Sequence, residues 1–284
     1  MDSLQPLLTT YAYNILGSYE DAKDVVQDVL LERLKRNGDE IGNEKAYLTR
    51  STINRAINAK NRQKKIQSDY PGQWLPEPIA TEKADHHLNQ KDILSYSLMV
   101  LLEKLDARQR AVFILKEAFD YDHEEIAQVL DISVENSRKI LSRAKRELKT
   151  GSTNNVKAPA AYLDKYIDII HSGDTKKLEQ LLSDDIVVVS DGGGKVAAAL
   201  HPLVGKERAL SFLSGIYRKF YQEKQIEKAI VNHHPALLFY INGILSTCQV
   251  FEIQNDKIHR SYFLRNPDKL AALQASRVST ASAH

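Results

Sequence analysis

Apolar positions along the chain follow two different periods. From residue 1 to about 150 they recur at helical spacing. "YEDAKDVVQDVLLERL" turns Val25, Val29 and Leu30 inward and keeps Asp21, Asp24 and Asp28 near another face, so an amphipathic acidic helix is predicted. "KAYLTRSTINRAINAKNRQKKI", residues 45–66, predicts a second long helix. From about 185 to 265 the period changes. "DIVVVS", "ALLFYING", "STCQVFEIQ" and "HRSYFLRN" are β-branched and aromatic runs bounded by Gly, Asn, Asp and His-Pro, which predicts strands. Residues 158–182 return to helical spacing, so the second half opens with helices and continues as a sheet, an α+β arrangement.

Two breaks divide the helical half from itself and from the sheet. "SDYPGQWLPEPIATEKAD" holds three prolines and a glycine in eighteen residues and cannot be a regular helix. "TGSTNNVKAP" has the composition of a linker. The expected organisation is a helical unit at 1–66, a Pro-rich connector at 67–89, a helical unit at 90–149, a linker at 150–157, an α+β domain at 158–270 and a disordered tail at 271–284. The fold class is therefore multidomain: two all-α units followed by an α+β domain.

The second helical unit carries the more specific pattern. In "DYDHEEIAQVLDISVENSRKILSRAKRELK", Asp122 and Glu125 stand at capping-box spacing and Ile126, Ala127 and Leu130 form a stripe. Asp131 falls where a left-handed residue is needed, and Ser133 can cap the next helix. That helix puts Ile140, Leu141, Ala144 and Leu148 on one face. Its other faces carry Glu135, Asn136, Arg138, Lys139, Ser142, Arg143, Lys145 and Arg146. A short helix, a tight turn and a basic second helix predict a helix-turn-helix, with residues near the second N-terminus facing base edges and later Arg and Lys facing phosphates. A solvated helical hairpin is the plainer alternative.

Composition sharpens this only locally. Net charge is +2 over 284 residues, yet residues 45–66 carry seven Lys or Arg and no Asp or Glu. Asn54, Asn58 and Asn61 share a face there, beside Arg55 and Arg62, and Asn offers hydrogen bonds to bases while Arg and Lys bind phosphate. The single cysteine, Cys248, allows no internal disulfide, and no run of 18 apolar residues occurs. These features, with an N-terminus that lacks a signal-peptide pattern, predict a cytoplasmic protein with no membrane partner.

"YNILGSYEDAKDVVQDVLLERL" resembles region 2, and "EEIAQVLDISVENSRKILSRAKREL" region 4, of bacterial sigma factors of the extracytoplasmic-function type. "WLPEP" (74–78), "DGGGK" (191–195) and "NPDKL" (266–270) resemble signature motifs of a subgroup with a fused C-terminal SnoaL-like domain. The resemblance implies core RNA polymerase and promoter DNA as partners. Asp21, Asp24, Val25, Gln27 and Asp28 would meet the clamp helices of the β′ subunit. Asn54, Arg55, Asn58, Lys60, Asn61 and Arg62 would read the −10 element. Region 4 would contact the β flap and read the −35 element through Ser133, Glu135, Asn136, Arg138, Lys139, Ser142, Arg143 and Lys145. Trp74, Leu75, Pro76, Glu77 and Pro78, with Asp191, Gly192, Gly193, Gly194 and Lys195 and with Asn266, Pro267, Asp268, Lys269 and Leu270, would form the regulatory contact. The chain departs from the pattern in having Asn58 where many relatives carry Asp, and Asp131 where many carry Gly.

"DGGGK" also raises phosphate binding. A P-loop would need Gly at Val189 and Ser or Thr at Val196, so a turn between strands "DIVVVS" and "KVAAAL" is expected instead. SnoaL-like folds form a cone with a pocket, and His201, His233, His234 and Tyr240 are the titratable candidates there, with no acid–base pairing visible in their spacing. The cone is read either as a small-molecule sensor or as an intramolecular packing domain, with no cofactor, metal or catalytic residue assigned. The rival readings are a one-component helix-turn-helix regulator with a ligand-sensing domain and a ketosteroid-isomerase-like enzyme. The acidic helix followed by a basic, Asn-bearing one favours the sigma factor.

Overall fold

The computed structural model describes residues 4–36, 42–67, 69–82, 88–148, 160–221 and 225–281. The expected linker at 150–157 lies outside these residues. The chain divides into two compact units: residues 1–69, 84–94 and 98–152 in one, and 70–83, 95–97 and 153–284 in the other. Both helical modules thus share a unit, and most of the connector groups with the α+β domain.

The first unit is helical. Helix α1 (Gln5–Leu16) carries Pro6 in its first turn and stops at Gly17, whose φ of 72° closes the C-cap. Ser18 caps α2 (Tyr19–Lys35), accepting from Asp21 N at 3.2 Å, and α2 buries Ala22, Val25, Val26 and Val29. Helix α3 (Glu44–Gln67) buries Leu48, Ile53, Ala56 and Ile57. The chain continues through α4 (Tyr96–Leu101), whose first two residues group with the second unit, then α5 (Ala107–Glu117), α6 (His123–Leu130) and α7 (Val134–Leu148). The capping box at Asp122 and Glu125 forms, with bonds of 2.7 and 2.8 Å. Asp131 ends α6 with φ 53°, and Ser133 accepts from Asn136 N at 3.1 Å. Helix α1 packs on α2 and α3, and α3 in turn packs on α5 and α6.

The second unit places α8 (Ala160–Ser172), α9 (Thr175–Leu181) and α10 (Lys206–Ile216) with a six-stranded sheet. The strands are β1 (Leu182–Asp191), β2 (Leu203–Val204), β3 (Gln225–Val231), β4 (His234–Ile241), β5 (Ile244–Gln254) and β6 (Lys257–Leu264), in the order β2-β1-β6-β5-β4-β3. Among the described strands, only β1 and β6 run parallel. Tyr166, Ile169, Leu178 and Leu213 of the helices form one core with Leu237, Phe239, Phe251 and Phe263 of the sheet. Inside it, Tyr217 donates to Gln249 Oε1 (2.7 Å) and lies 3.0 Å from Tyr166 Oη, while Gln249 Nε2 donates to Tyr166 Oη and Ser261 Oγ, each at 3.0 Å. These four side chains therefore satisfy one another.

Two expectations are corrected. "KVAAAL" is not a strand. The chain leaves the sheet at Asp191, turns on Gly192 O, which accepts from Lys195 N (3.0 Å) and Val196 N (3.2 Å), and is held where Arg265 bonds Ala197 O. The tail is not without structure: α11 (Pro267–Ala281) forms, buries Leu270 and Leu273, and is pinned by Gln274 to Leu245 N (3.1 Å) and by Arg277 to Glu82 and Glu227.

"NHHP", residues 232–235, forms a turn, with Asn232 and His233 at φ 45° and 64°. His234 is buried. Its Nδ1 lies 3.1 Å from Phe251 O, so it carries the proton, and Nε2 accepts from Ser97 Oγ at 3.0 Å. Burial pushes its pKa down to about 4, although the Phe251 carbonyl works the other way. The unfolded chain, with a pKa of about 6.5, therefore binds the extra proton. His234's contribution to stability is whole above pH about 6.5 and is lost as pH falls from there to about 4, at most about 3 kcal/mol. Trp74, the only tryptophan, reports unfolding of this unit by fluorescence. The urea midpoint should drop between pH 7.5 and pH 5 in the parent chain and change less in His234→Gln. Equal pH dependence in the two would contradict a buried neutral imidazole.

Candidate nucleic-acid interface and connector clamp

Helix α7 owes its position to the apolar face of its own sequence. Ile140, Leu141, Ala144 and Leu148 are buried, and α7 packs on α5 and α6. Ser133, Glu135, Asn136, Arg138, Lys139, Ser142, Arg143 and Lys145 are all exposed. Lys139 pairs with Glu135 (2.6 Å), Arg138 with Glu124 (3.7 Å) and Lys145 with Glu117 (2.8 Å), surface pairs worth little in water and easily traded for phosphate.

The predicted face of α3 is only partly open. Asn58, Asn61 and Arg62 are exposed. Arg55 pairs across to Glu32 and Asp28 of α2, and Asn54 Nδ2 donates to Val129 O of α6 at 2.8 Å. Lys60 departs from expectation: it is 5% exposed, buried against Glu103. On α2, Asp24, Gln27 and Asp28 are exposed beside Leu31 and Leu34, whereas Val25 faces the bundle core and Asp21 accepts from Gln63.

The three short motifs meet in the second unit. Asp191, 1% exposed at the end of β1, accepts from Tyr70 Oη (2.6 Å), Leu75 N (2.9 Å), Gly193 N (3.0 Å) and Lys269 Nζ (2.7 Å). Lys269 Nζ also donates to Leu75 O (2.6 Å) and sits 4.0 Å from the centre of the Trp74 ring. Burial, then the bond to Asp191, pushes the Tyr70 phenol well above its ordinary pKa, so it stays a donor. Asn266 Nδ2 joins Tyr70 Oη at 3.0 Å. Lys195 pairs with Asp268 (2.6 Å) rather than with the connector.

The glycines answer to space as well as to φ. At Gly194 (φ 70°) a Cβ would stand 2.6 Å from Pro71 Cγ, and at Gly193 (φ 62°) it would collide with Asn266. The run brings backbone against the connector and against "NPDKL", with its amides partly turned on Asp191 rather than gathered round a phosphate.

Beyond Leu75, the connector stays on the same unit. Tyr96 Oη donates to Pro76 O (2.8 Å) and its ring stacks edge-on against Tyr262, centroids 5.3 Å apart. Ile79 and Asn232 exchange two bonds of 2.9 Å, and Ala80 bridges Val231. The sequence pointed to the three motifs. It did not point to Tyr70, Tyr96, Asn232 or Arg277, each of which is bound by a partner far along the chain.

Residues 1–66 match the family described as Sigma-70 region 2, and residues 95–148 that described as Sigma-70, region 4. The chain is 26% identical over 232 residues to the ECF RNA polymerase sigma factor SigJ of Mycobacterium tuberculosis, covering 77% of this chain and 72% of that protein. It is 23% identical to the probable ECF sigma factor SigI of the same species, covering 94% and 92%. The chain belongs to the extracytoplasmic-function sigma factors. The crystal structure of M. tuberculosis SigJ has the same fold over 95% of this chain and 96% of that one, with a TM-score of 0.76 and 23% identity. In this sigma factor, regions 2 and 4 are followed by an α+β domain built on a six-stranded sheet. Among the described residues, no helix is long and apolar enough to cross a membrane.

Removing Lys269 tests the clamp. Lys269→Ala leaves the buried Asp191 carboxylate without its cation, which costs about 3–5 kcal/mol. The Trp74 emission should shift to the red as its ring loses Lys269 and gains water, and urea should unfold the unit at a lower concentration. An unchanged emission maximum in a folded Lys269→Ala protein would show that the clamp does not hold the connector.

Proposed function

We propose that this sigma factor directs core RNA polymerase to −10 and −35 promoter elements, and that its SnoaL-like domain regulates it by holding the connector between regions 2 and 4. The observation that carries this reading is the Asp191–Lys269 clamp, in which three motifs distant in sequence converge on Tyr70 to Leu75. The connector is the covalent link between the two promoter-reading modules, so fixing it on the cone limits how far they separate by straightening the chain. The satisfied Tyr166–Tyr217–Gln249–Ser261 network supports a packing role for the cone interior. A cleft of about 120 Å³ lined by His171, Asp174, Thr175, Ser214, Tyr217 and Arg218 is a place in this domain that offers room for a small ligand. Chemistry belongs to the polymerase. The exposed face of α2 around Asp24, Gln27 and Asp28 docks on the clamp helices, α7 enters the −35 major groove, and Asn58, Asn61 and Arg62 meet the −10 element.

Run-off transcription with bacterial core polymerase tests both halves. The full chain should start transcripts at defined sites, and Lys269→Ala should change their yield threefold or more. No transcript from the parent chain would sink the sigma reading. Equal yields would sink regulation through the clamp. For −35 reading, Arg143→Ala should weaken holoenzyme binding evenly across sequences and lower the salt slope by about 1. Asn136→Ala should cost about 1–3 kcal/mol on the matched sequence only. Loss of discrimination from Arg143→Ala instead would reverse these roles.

A further inference from the structure

Regions 2 and 4 share one unit, and charges lie buried where they meet. Lys60 of α3 donates to both Glu103 carboxylate oxygens (2.8 and 3.0 Å) and to Leu16 O (2.9 Å). Arg110 of α5, 0% exposed, bonds the same carboxylate, and its Nε donates to Asn14 O at 2.9 Å. At the rim, Asn54 bonds Val129 O (2.8 Å) and Arg50 approaches Asp131 (3.9 Å).

This packed arrangement is incompatible with reading a promoter. Helix α3 packs on α6 and α6 on α7. Packed helices stand about 8–10 Å apart, so the two reading helices lie roughly 20 Å apart. Elements about 25 base pairs apart, at about 3.4 Å per pair, are roughly 85 Å apart on DNA. The unit must open for both to be engaged.

Its seam is suited to opening. Buried apolar surface is lost to water on separation, whereas buried ions regain their hydration, so a complete ion triad contributes little net stability while a broken one is costly. The triad therefore favours one register without making it permanent. Lys60 lies on the DNA-reading helix, and Glu103 presents it with an anion in the manner of a phosphate.

We infer that Glu103 is the pin of an autoinhibitory latch: it holds Lys60 and Arg110 in a closed unit, and its release on core polymerase separates regions 2 and 4 and gives Lys60 to promoter DNA. This rests on the sigma reading but makes a separate prediction about the free chain.

The test uses the full chain with spin labels at Lys64→Cys on α3 and Arg146→Cys on α7, since Cys248 is buried and escapes labelling. Pulsed electron resonance reads the distance between them, and run-off transcription reads activity. In the parent chain the short distance should dominate and lengthen when core polymerase is added. Glu103→Gln should populate the long distance in the free protein and lower the polymerase concentration for half-maximal transcription at least threefold. A second variant, Lys60→Met with Glu103→Leu and Arg110→Met, replaces the triad with apolar side chains. It should stay closed and need at least tenfold more polymerase. Should Glu103→Gln fail to fold, this variant decides alone. The latch is overturned if Glu103→Gln keeps the parent distance, or if the apolar variant opens and transcribes like the parent. If no protein transcribes, the sigma reading fails, and the distances in the free chain still decide the latch.

Discussion

Asp191 and Lys269 form the contact on which the second unit's organisation depends. A carboxylate and an ammonium group, 1% and 6% exposed, are expensive to bury, and their attraction offsets that cost only if the remaining polar positions are filled. Here they are. Asp191 takes donors from a phenol, two backbone amides and the lysine, and Lys269 takes a carboxylate, a carbonyl and an indole face. The partners come from three separate parts of the sequence, so no single fragment of the chain can assemble the site. Burial of this pair thus requires the connector, the end of β1 and the start of α11 together.

The same chemistry recurs in the first unit with a different consequence. Glu103 is surrounded by two cations. Burial works against its charge, but Arg110 and Lys60 outweigh burial and hold its pKa below the usual carboxylate range. The Asp191 clamp is closed over by an aromatic ring and backbone, whereas the Glu103 triad joins two helices that must part for promoter reading. One buried charge set organises a fixed domain. The other fits an interface that exchanges its internal partners for polymerase and DNA.

What could be read in the sequence follows the range of the forces involved. The capping box at Asp122, the left-handed Asp131 and the Ser133 cap were legible because each is settled within four residues. The exposed face of α7 was legible because its buried face has a strong helical period. Lys60 was not. Seen alone it is one more cation on a basic helix, and its burial is decided by Glu103, 43 residues on. Val25 was assigned both to the core and to a partner surface, and packing chose the core. "KVAAAL" reads as a strand by composition, yet β1 already has neighbours on both sides, β2 and β6. The stretch up to Ala281, small and polar in composition, is helical because Leu270, Leu273, Gln274 and Arg277 find partners on the sheet and connector.

The sheet itself explains why the connector belongs to this domain. On one face, Leu237, Phe239, Phe251 and Phe263 meet the helices. Ala236, Leu238, Cys248, Val250, Tyr262 and Leu264 alternate with them, point the other way by register, and are just as buried. An antiparallel sheet with one wet face would show polar residues at those positions, so these strands are built to be covered twice. Within the unit, Tyr96 lies on Tyr262, α11 packs on β5, and the connector runs from Asp191 at one side of the sheet to Asn232 at the other. Leu75 and Ile79 are buried along that path. A chain segment needed to cover the second face cannot leave without exposing it, and that couples the connector's position to the folding of the cone.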